Sequence, residues 1–322
     1  MRRHLLATAV ILTAASGCDN VAWGGVDVQL VPPPAAEPGT PAEAAPPPEP
    51  PPPPEVARPL LLAGTRAGST GTLVVVGELS GDGIVPATAT SIASGAVEGS
   101  EWILFAEGVR VGRMTADAVG PAEQFCATTP ALTGTVELVP SAGAIERLAA
   151  LPAAEAGGVQ HQPVPVHEHD YDQRVASLTY AQEAIPRIGA DWPDGGVLPT
   201  RQEMYSFQPA GTESPTFAAS YVYRDGPRVG APPSGAYSLF ILAARQGGEF
   251  RETFEWFHAA DSIGKSVPRY FSHLDVDRDG EGEIILDVFG ADRRWHAVLE
   301  QDDGVWAKSF ESPCGVAASP AR

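Results

Sequence analysis

The chain has 322 residues, 21 Lys and Arg against 40 Asp and Glu, and a formal net charge of −19. A surface that acidic repels phosphate backbones and anionic headgroups, which argues against nucleic-acid binding and against electrostatic adsorption to lipid. The length leaves room for one large or two modest domains once the ends are set aside.

Met1-Arg2-Arg3 is a short basic start, and residues 5–15 form an apolar run too short to span a bilayer. The run ends in Ala15-Ser16-Gly17-Cys18. Small residues before a cysteine at this place resemble a bacterial lipobox. The resemblance implies that residues 1–17 are a signal peptide and that Cys18 is acylated, with palmitate among its chains. It also implies an address: the bacterial cell envelope, on the periplasmic or surface side of a membrane that holds the chain through buried methylenes. An ordinary secretory signal cleaved nearby is the alternative.

Residues 18–59 read as a disordered tether, with 14 prolines between 31 and 59. Proline removes backbone donors and fixes φ, so a polyproline II rod rising about 3.1 Å per residue is expected there. Glu37, Glu43, Glu49 and Glu55 recur six residues apart and share one face of such a rod. A spacer explains them; a recognition strip for a partner is the alternative.

Order is expected from about Leu60. The chain should then be mainly β, a β-rich α+β protein of antiparallel hairpins and meander with one or two helices. Residues 72–76 are β-rich between glycines, and 102–106 and 109–114 read as a hairpin across Glu107-Gly108. Residues 135–139 read as a strand and 144–151 as a short helix ended by Pro152. An Ala, Gly and Pro-rich connection at 153–166 suggests two β-rich lobes, 60–155 and 156–322, with one continuous fold as the alternative.

Asp170 is a natural cap for a helix from Tyr171 to about Ile185, stopped by Pro186, with Tyr171, Val175, Leu178 and Ile185 on one face. Strands are expected at 217–223, 237–244, 250–258, 283–289, 295–299 and 305–310. Their short turns should make sequential strands neighbours.

The stretch Asp275-Val-Asp277-Arg-Asp279-Gly280-Glu281-Gly-Glu283 carries the clearest chemistry. Calcium takes roughly six to eight oxygen ligands, and alternate carboxylates converge on one point when glycine lets the chain curl. Position 12 is Leu286 where an EF-hand needs a bidentate glutamate, so the EF-hand reading fails. The spacing instead resembles the Asp-x-Asp-x-Asp-Gly-x-x-Asp/Glu loop of FG-GAP and VCBS-type modules. That likeness implies a structural Ca2+ held by Asp275, Asp277, Asp279, the Glu281 carbonyl and Glu283, in a loop joining two strands. One complete loop does not make a propeller, and an acidic turn without metal is the plain alternative.

With Cys18 used by lipid, Cys126 and Cys314 remain, and export favours a disulfide between them. Two unpaired thiols are the other reading. His161, His167, Glu168, His169 and Asp170 form a second polar cluster. His167 and His169 can bind zinc or copper when extended, although a polar lead into the helix explains them as well. Trp256, Phe257, Trp295 and Trp306 read as core and cross-strand packing, with a sugar-stacking surface as the rival.

No Gly-x-Ser-x-Gly elbow, P-loop or His-Glu-x-x-His is present, so those enzyme classes have no support. The leading expectation is a non-enzymatic binding or structural lipoprotein meeting the bilayer through Cys18 and an envelope protein or glycan through its β body. A hydrolase or carbohydrate-active protein using clustered acids or His167 and His169 is the alternative.

Overall fold

The computed structural model describes residues 55–313 apart from 82, 127–128, 158–160, 213, 261–263 and 303. The expectations for the leader, Cys18, the tether up to residue 54 and Cys314 lie outside the described residues. The chain is mainly β, as its alternating patterns require. No helix among the described residues is long and apolar enough to cross a membrane.

Strands β1 (Leu60–Ala67), β2 (Thr70–Ser80), β4 (Glu101–Ala106), β5 (Val109–Pro121), β6 (Pro130–Leu138) and β7 (Arg147–Pro152) form one antiparallel sheet. Because β1 pairs with both β7 and β2, the sheet closes into a six-stranded barrel. The short β3 (Gly83–Val85) extends β2, and helix α1 (Ala89–Gly95) packs beside β1. Period-2 alternation sends Leu60, Leu62, Leu73, Trp102, Leu104, Met114, Leu132 and Leu148 inward. Each fully buried Leu side chain contributes about 1.5–3 kcal/mol. Gly64 is required on β1, since a Cβ there would collide with the Thr72 carbonyl across the pair.

Residues 144–151 are not the helix that their alanines suggest; Arg147–Pro152 is β7. Its alternating Leu148 and Ala150 face the barrel interior, and the strand closes the gap between β1 and β4. Tertiary pairing overrides the helical propensity of alanine here.

The rest of the chain makes two four-stranded antiparallel meanders. The first holds β8 (Arg201–Phe207), β9 (Thr216–Tyr223), β10 (Tyr237–Gln246) and β11 (Glu249–Ala259). The second holds β12 (Val267–Leu274), β13 (Glu283–Phe289), β14 (Arg294–Asp302) and β15 (Val305–Glu311). The layers stack as helix, sheet, sheet and barrel. Phe207, Phe240 and Leu242 of the first meander meet Ile284, Leu286 and Val288 of the second. On the other face of the second meander, Phe271, Ile285, Val298 and Phe310 meet Leu61, Ile103, Phe105 and Leu151 from the outside of the barrel. Strand β13 is therefore buried along its whole length, which explains an apolar run without polar alternation.

Helix α2 (Tyr171–Arg187) covers the outer face of the first meander. Asp170 caps it through a capping box: the Gln173 amide N–H donates to Asp170 Oδ1 at 2.8 Å, and the Asp170 N–H donates to Gln173 Oε1 at 3.0 Å. Two expectations need correction. The buried face is Gln173, Ser177, Ala181, Ala184 and Ile185, while Tyr171 and Val175 are exposed. Small residues let the helix sit close on Phe217, Tyr221 and Leu239, where bulky ones would hold it off. Nor does Pro186 stop the helix. Its carbonyl still accepts from Gly189 N at 3.1 Å, and Gly189, at φ +73°, ends the turn.

Candidate metal centre

The acidic loop joins β12 to β13, and Glu283 opens β13. Two residues curl it: Gly280 at φ +96° and Arg278 at φ +66°. Carboxylates staple the curl. Gly280 N donates to Asp275 Oδ2 at 3.2 Å, Asp279 N to Asp277 Oδ1 at 3.2 Å, and Glu281 N to Asp279 Oδ1 at 2.8 Å. Val276 N donates to Glu283 Oε2 at 2.7 Å, tying the start of the loop to the strand it enters. The connection between β8 and β9 braces the loop from outside, where Gly282 N donates to the Ala210 carbonyl at 3.2 Å.

Three carboxylates converge: oxygens of Asp275, Asp277 and Glu283 lie within 4.8 Å of one another. Of the five residues expected to hold the ion, the structure gathers these three. Asp279 spends an oxygen on Glu281 N and stays outside the cluster, and Glu281, expected through its main-chain carbonyl, adds no carboxylate to it. Asp275 Oδ1 is buried and accepts no hydrogen bond among the described residues. Burial pushes the Glu283 carboxyl up to about 8, helped by the charges of Asp277 and Asp275 and opposed by the Val276 N–H. Burial raises Asp275 as well, and Asp279 and Asp277 add to it. Acids crowded this way repel one another unless a proton or a cation sits among them. Hard oxygens in a curled loop fit calcium.

His167 and His169 do not join any group of three metal-competent side chains among the described residues. They line a cleft of about 570 Å³ with Glu168, Arg174 and residues Glu203, Met204, Tyr205 and Ser206 of β8. The four aromatics do not form one surface. Trp295 and Trp306 are buried between the meanders, Trp256 packs against that cluster, and Phe257 packs on the opposite face of its sheet.

Sequence reading missed a chain of alternating charges that crosses the layers. Arg147 on β7 meets Glu203 on β8 at 2.6 Å, Glu203 lies 3.8 Å from Arg269 on β12, and Arg269 meets Asp287 on β13 at 2.8 Å. Asp287 meets Arg294 on β14 at 2.7 Å, with His296 Nε2 3.4 Å away. The one signal was Asp287 itself, a charge inside an apolar strand.

It also missed a cluster at the tip of the β4–β5 hairpin. Glu107 takes a left-handed φ of 49°, a cost that its side chain recovers by reaching Tyr270 Oη at 2.7 Å. Tyr270 Oη also lies 2.8 Å from His273 Nδ1. Burial pushes the Glu107 carboxyl up and the His273 imidazole down to about 4.

No family model matches the chain, and no curated protein or solved structure matches it.

Proposed function

We propose that this chain is an envelope lipoprotein, anchored through acylated Cys18, whose β body is stiffened by one calcium ion and acts by binding or structural contact. The observation that carries the ion is the convergence of Asp275, Asp277 and Glu283 around the unpartnered Asp275 Oδ1. The ion relieves repulsion among the three carboxylates, of which Glu283 is buried, and fixes the entry to β13, the strand buried on both faces. The anchor rests on Ala15-Ser16-Gly17-Cys18, and the proline-rich stretch after it supplies a spacer. Cys126 lines a cavity of about 350 Å³ together with Pro313. That nearness of residue 313 supports pairing of Cys126 with Cys314, which thiol labelling of the denatured, unreduced protein tests.

Thermal melts with calcium and with chelator test the ion. A ligand at about 100 times its Kd adds roughly 2.7 kcal/mol. For a fold of this size that raises Tm by about 5–11 °C. Asp277→Ala should abolish the rise without unfolding the protein. An unchanged Tm, with no density among Asp275, Asp277 and Glu283 in crystals grown with calcium, sinks the ion. Metabolic labelling with a palmitate analogue tests the anchor separately: label should appear on the wild type and vanish in Cys18→Ala.

A further inference from the structure

The ladder of strand β2 has a gap on the side opposite β1. There β2 pairs with β6 over residues 70–74 and with β3 over 78–80, and residues 75–77 have no strand beside them among the described residues. The cause is local. Strand β6 begins at Pro130, which has no N–H to carry the ladder past Ala131, and β3 is only Gly83–Val85. A cavity of about 350 Å³ lies at this gap, with Val75, Val76, Ala87, Ile92, Pro130 and Pro313 on its walls. Val75 belongs to the barrel core, and Val76 to the core between the barrel and the second meander. Close-packed interiors rarely leave such a space beside core valines.

Pro313, the last described residue, is itself a wall of the cavity. The residues that follow are Cys314-Gly315-Val316-Ala317-Ala318-Ser319-Pro320-Ala321. Residues 315–321 carry no charge and none is bulkier than valine, on a chain of net charge −19. Such a run suits a narrow apolar slot, and its attachment at the rim gives it a high local concentration there. The other apolar run outside the described residues, 21–31, is bulkier, with Trp23 and Leu30. Proline-rich residues 32–54 separate it from Glu55 by about 70 Å when extended at about 3.1 Å each.

We propose that Val316, Ala317 and Ala318 fold back from Pro313 into this cavity and close the flank of β2. The seat ties the segment to α1, whose Ile92 lines the cavity. The same helix holds the other end of the described chain: Thr90 Oγ1 donates to Glu55 Oε2 at 2.9 Å, and Arg58 N donates to Ser91 Oγ at 2.9 Å. Both ends of the body then meet on one short helix. Cys126 is also on the cavity wall, so its pairing with Cys314 would shorten the reach, but the seat does not depend on that bond.

Amide exchange of the full chain tests the seat against two variants. One stops after Cys314; the other, Val316→Asp, asks a carboxylate to enter the cavity. Exchange at residues 75–77 and 87–92 should quicken at least about fivefold in both, while β9 and β10, which lie off the cavity, stay unmoved. The peptide acetyl-Gly-Val-Ala-Ala-Ser-Pro-Ala-amide at millimolar concentration should restore slow exchange to the shortened chain, and the same peptide with Asp in place of Val should not. If the shortened chain loses its fold, the point substitution decides. Unchanged exchange in the shortened chain overturns the proposal, and so does slow exchange retained by Val316→Asp. Quickening seen only when residues 21–31 are deleted would overturn it in favour of that segment.

Discussion

Replacing Asp287 with asparagine removes one charge and almost no volume from the centre of the stack. Asp287 is fully buried and accepts from Arg269 at 2.8 Å and from Arg294 at 2.7 Å. Removing one partner of a buried ion pair costs about 3–5 kcal/mol, because the remaining charge is left uncompensated. Here the Arg269 and Arg294 side chains keep 22 % and 19 % of their exposure, so water screens part of that cost. The loss should sit near the lower end, about 3 kcal/mol, or a Tm lower by about 6–12 °C. The pH dependence gives a second, independent signature. Burial alone would raise the Asp287 carboxyl, but hydrogen bonding from His296 and the charges of Arg294 and Arg269 outweigh it and hold the group far below the usual range. A depressed folded pKa gives stability that is present above the unfolded value, near 3.9, and is lost as pH falls below it. Urea denaturation of wild type and Asp287→Asn at pH 7 and at pH 3 reads both effects. The gap between the two proteins should be about 3 kcal/mol at pH 7 and should narrow at pH 3. A gap under about 1 kcal/mol at pH 7, or one that does not narrow in acid, refutes the reasoning.

Three further substitutions probe other joints. Tyr270→Phe leaves Glu107 and His273 without their shared hydroxyl and should cost about 1–3 kcal/mol in urea denaturation; a neutral result would mean that water replaces it. Gly64→Ala pushes a methyl into the Thr72 carbonyl across the β1–β2 pair and should cost at least about 1–3 kcal/mol, read as a lower melting temperature or loss of soluble protein. Asp170→Ala removes the helix cap and should cost about 1 kcal/mol, with circular dichroism showing fraying only at the start of α2.

The hairpins were legible because their signals are local. Glu107-Gly108 and Gly247-Gly248 sit between runs of β-branched and aromatic residues, and each joins neighbouring strands. The acidic loop was legible for the same reason, since its curl and its carboxylates lie within nine residues. Barrel closure was not legible, because it depends on β1 pairing with β7 some eighty residues later. The same non-local demand turned Arg147–Pro152 into a strand against its own propensity. The face of α2 was misread because bulk was taken as the mark of burial. A helix lying flat on aromatic strands buries its small residues instead. The charge chain was invisible for a related reason: its members come from five strands, and only the stacking of three sheets brings them together.

The acidic loop and the charge chain are two parts of one problem, which is how to seat β13. A strand apolar on both faces can slide or flip with little penalty, because a one-residue slip trades one buried face for the other. Asp287 prevents this from the middle of the strand. Shifted by one residue it would face the other meander, away from Arg269 and Arg294, with a buried charge unpaired. Glu283 prevents it from the beginning. Its carboxylate is held by Val276 N and grouped with Asp275 and Asp277, so the register of the first residue is tied to the loop before it. The two devices differ in sign. The charge chain sets acids against arginines, whereas the loop sets three carboxylates against one another. If an ion completes it, the loop end of β13 is the part of the stack whose order follows the calcium level, and the Asp287 end is the part that does not.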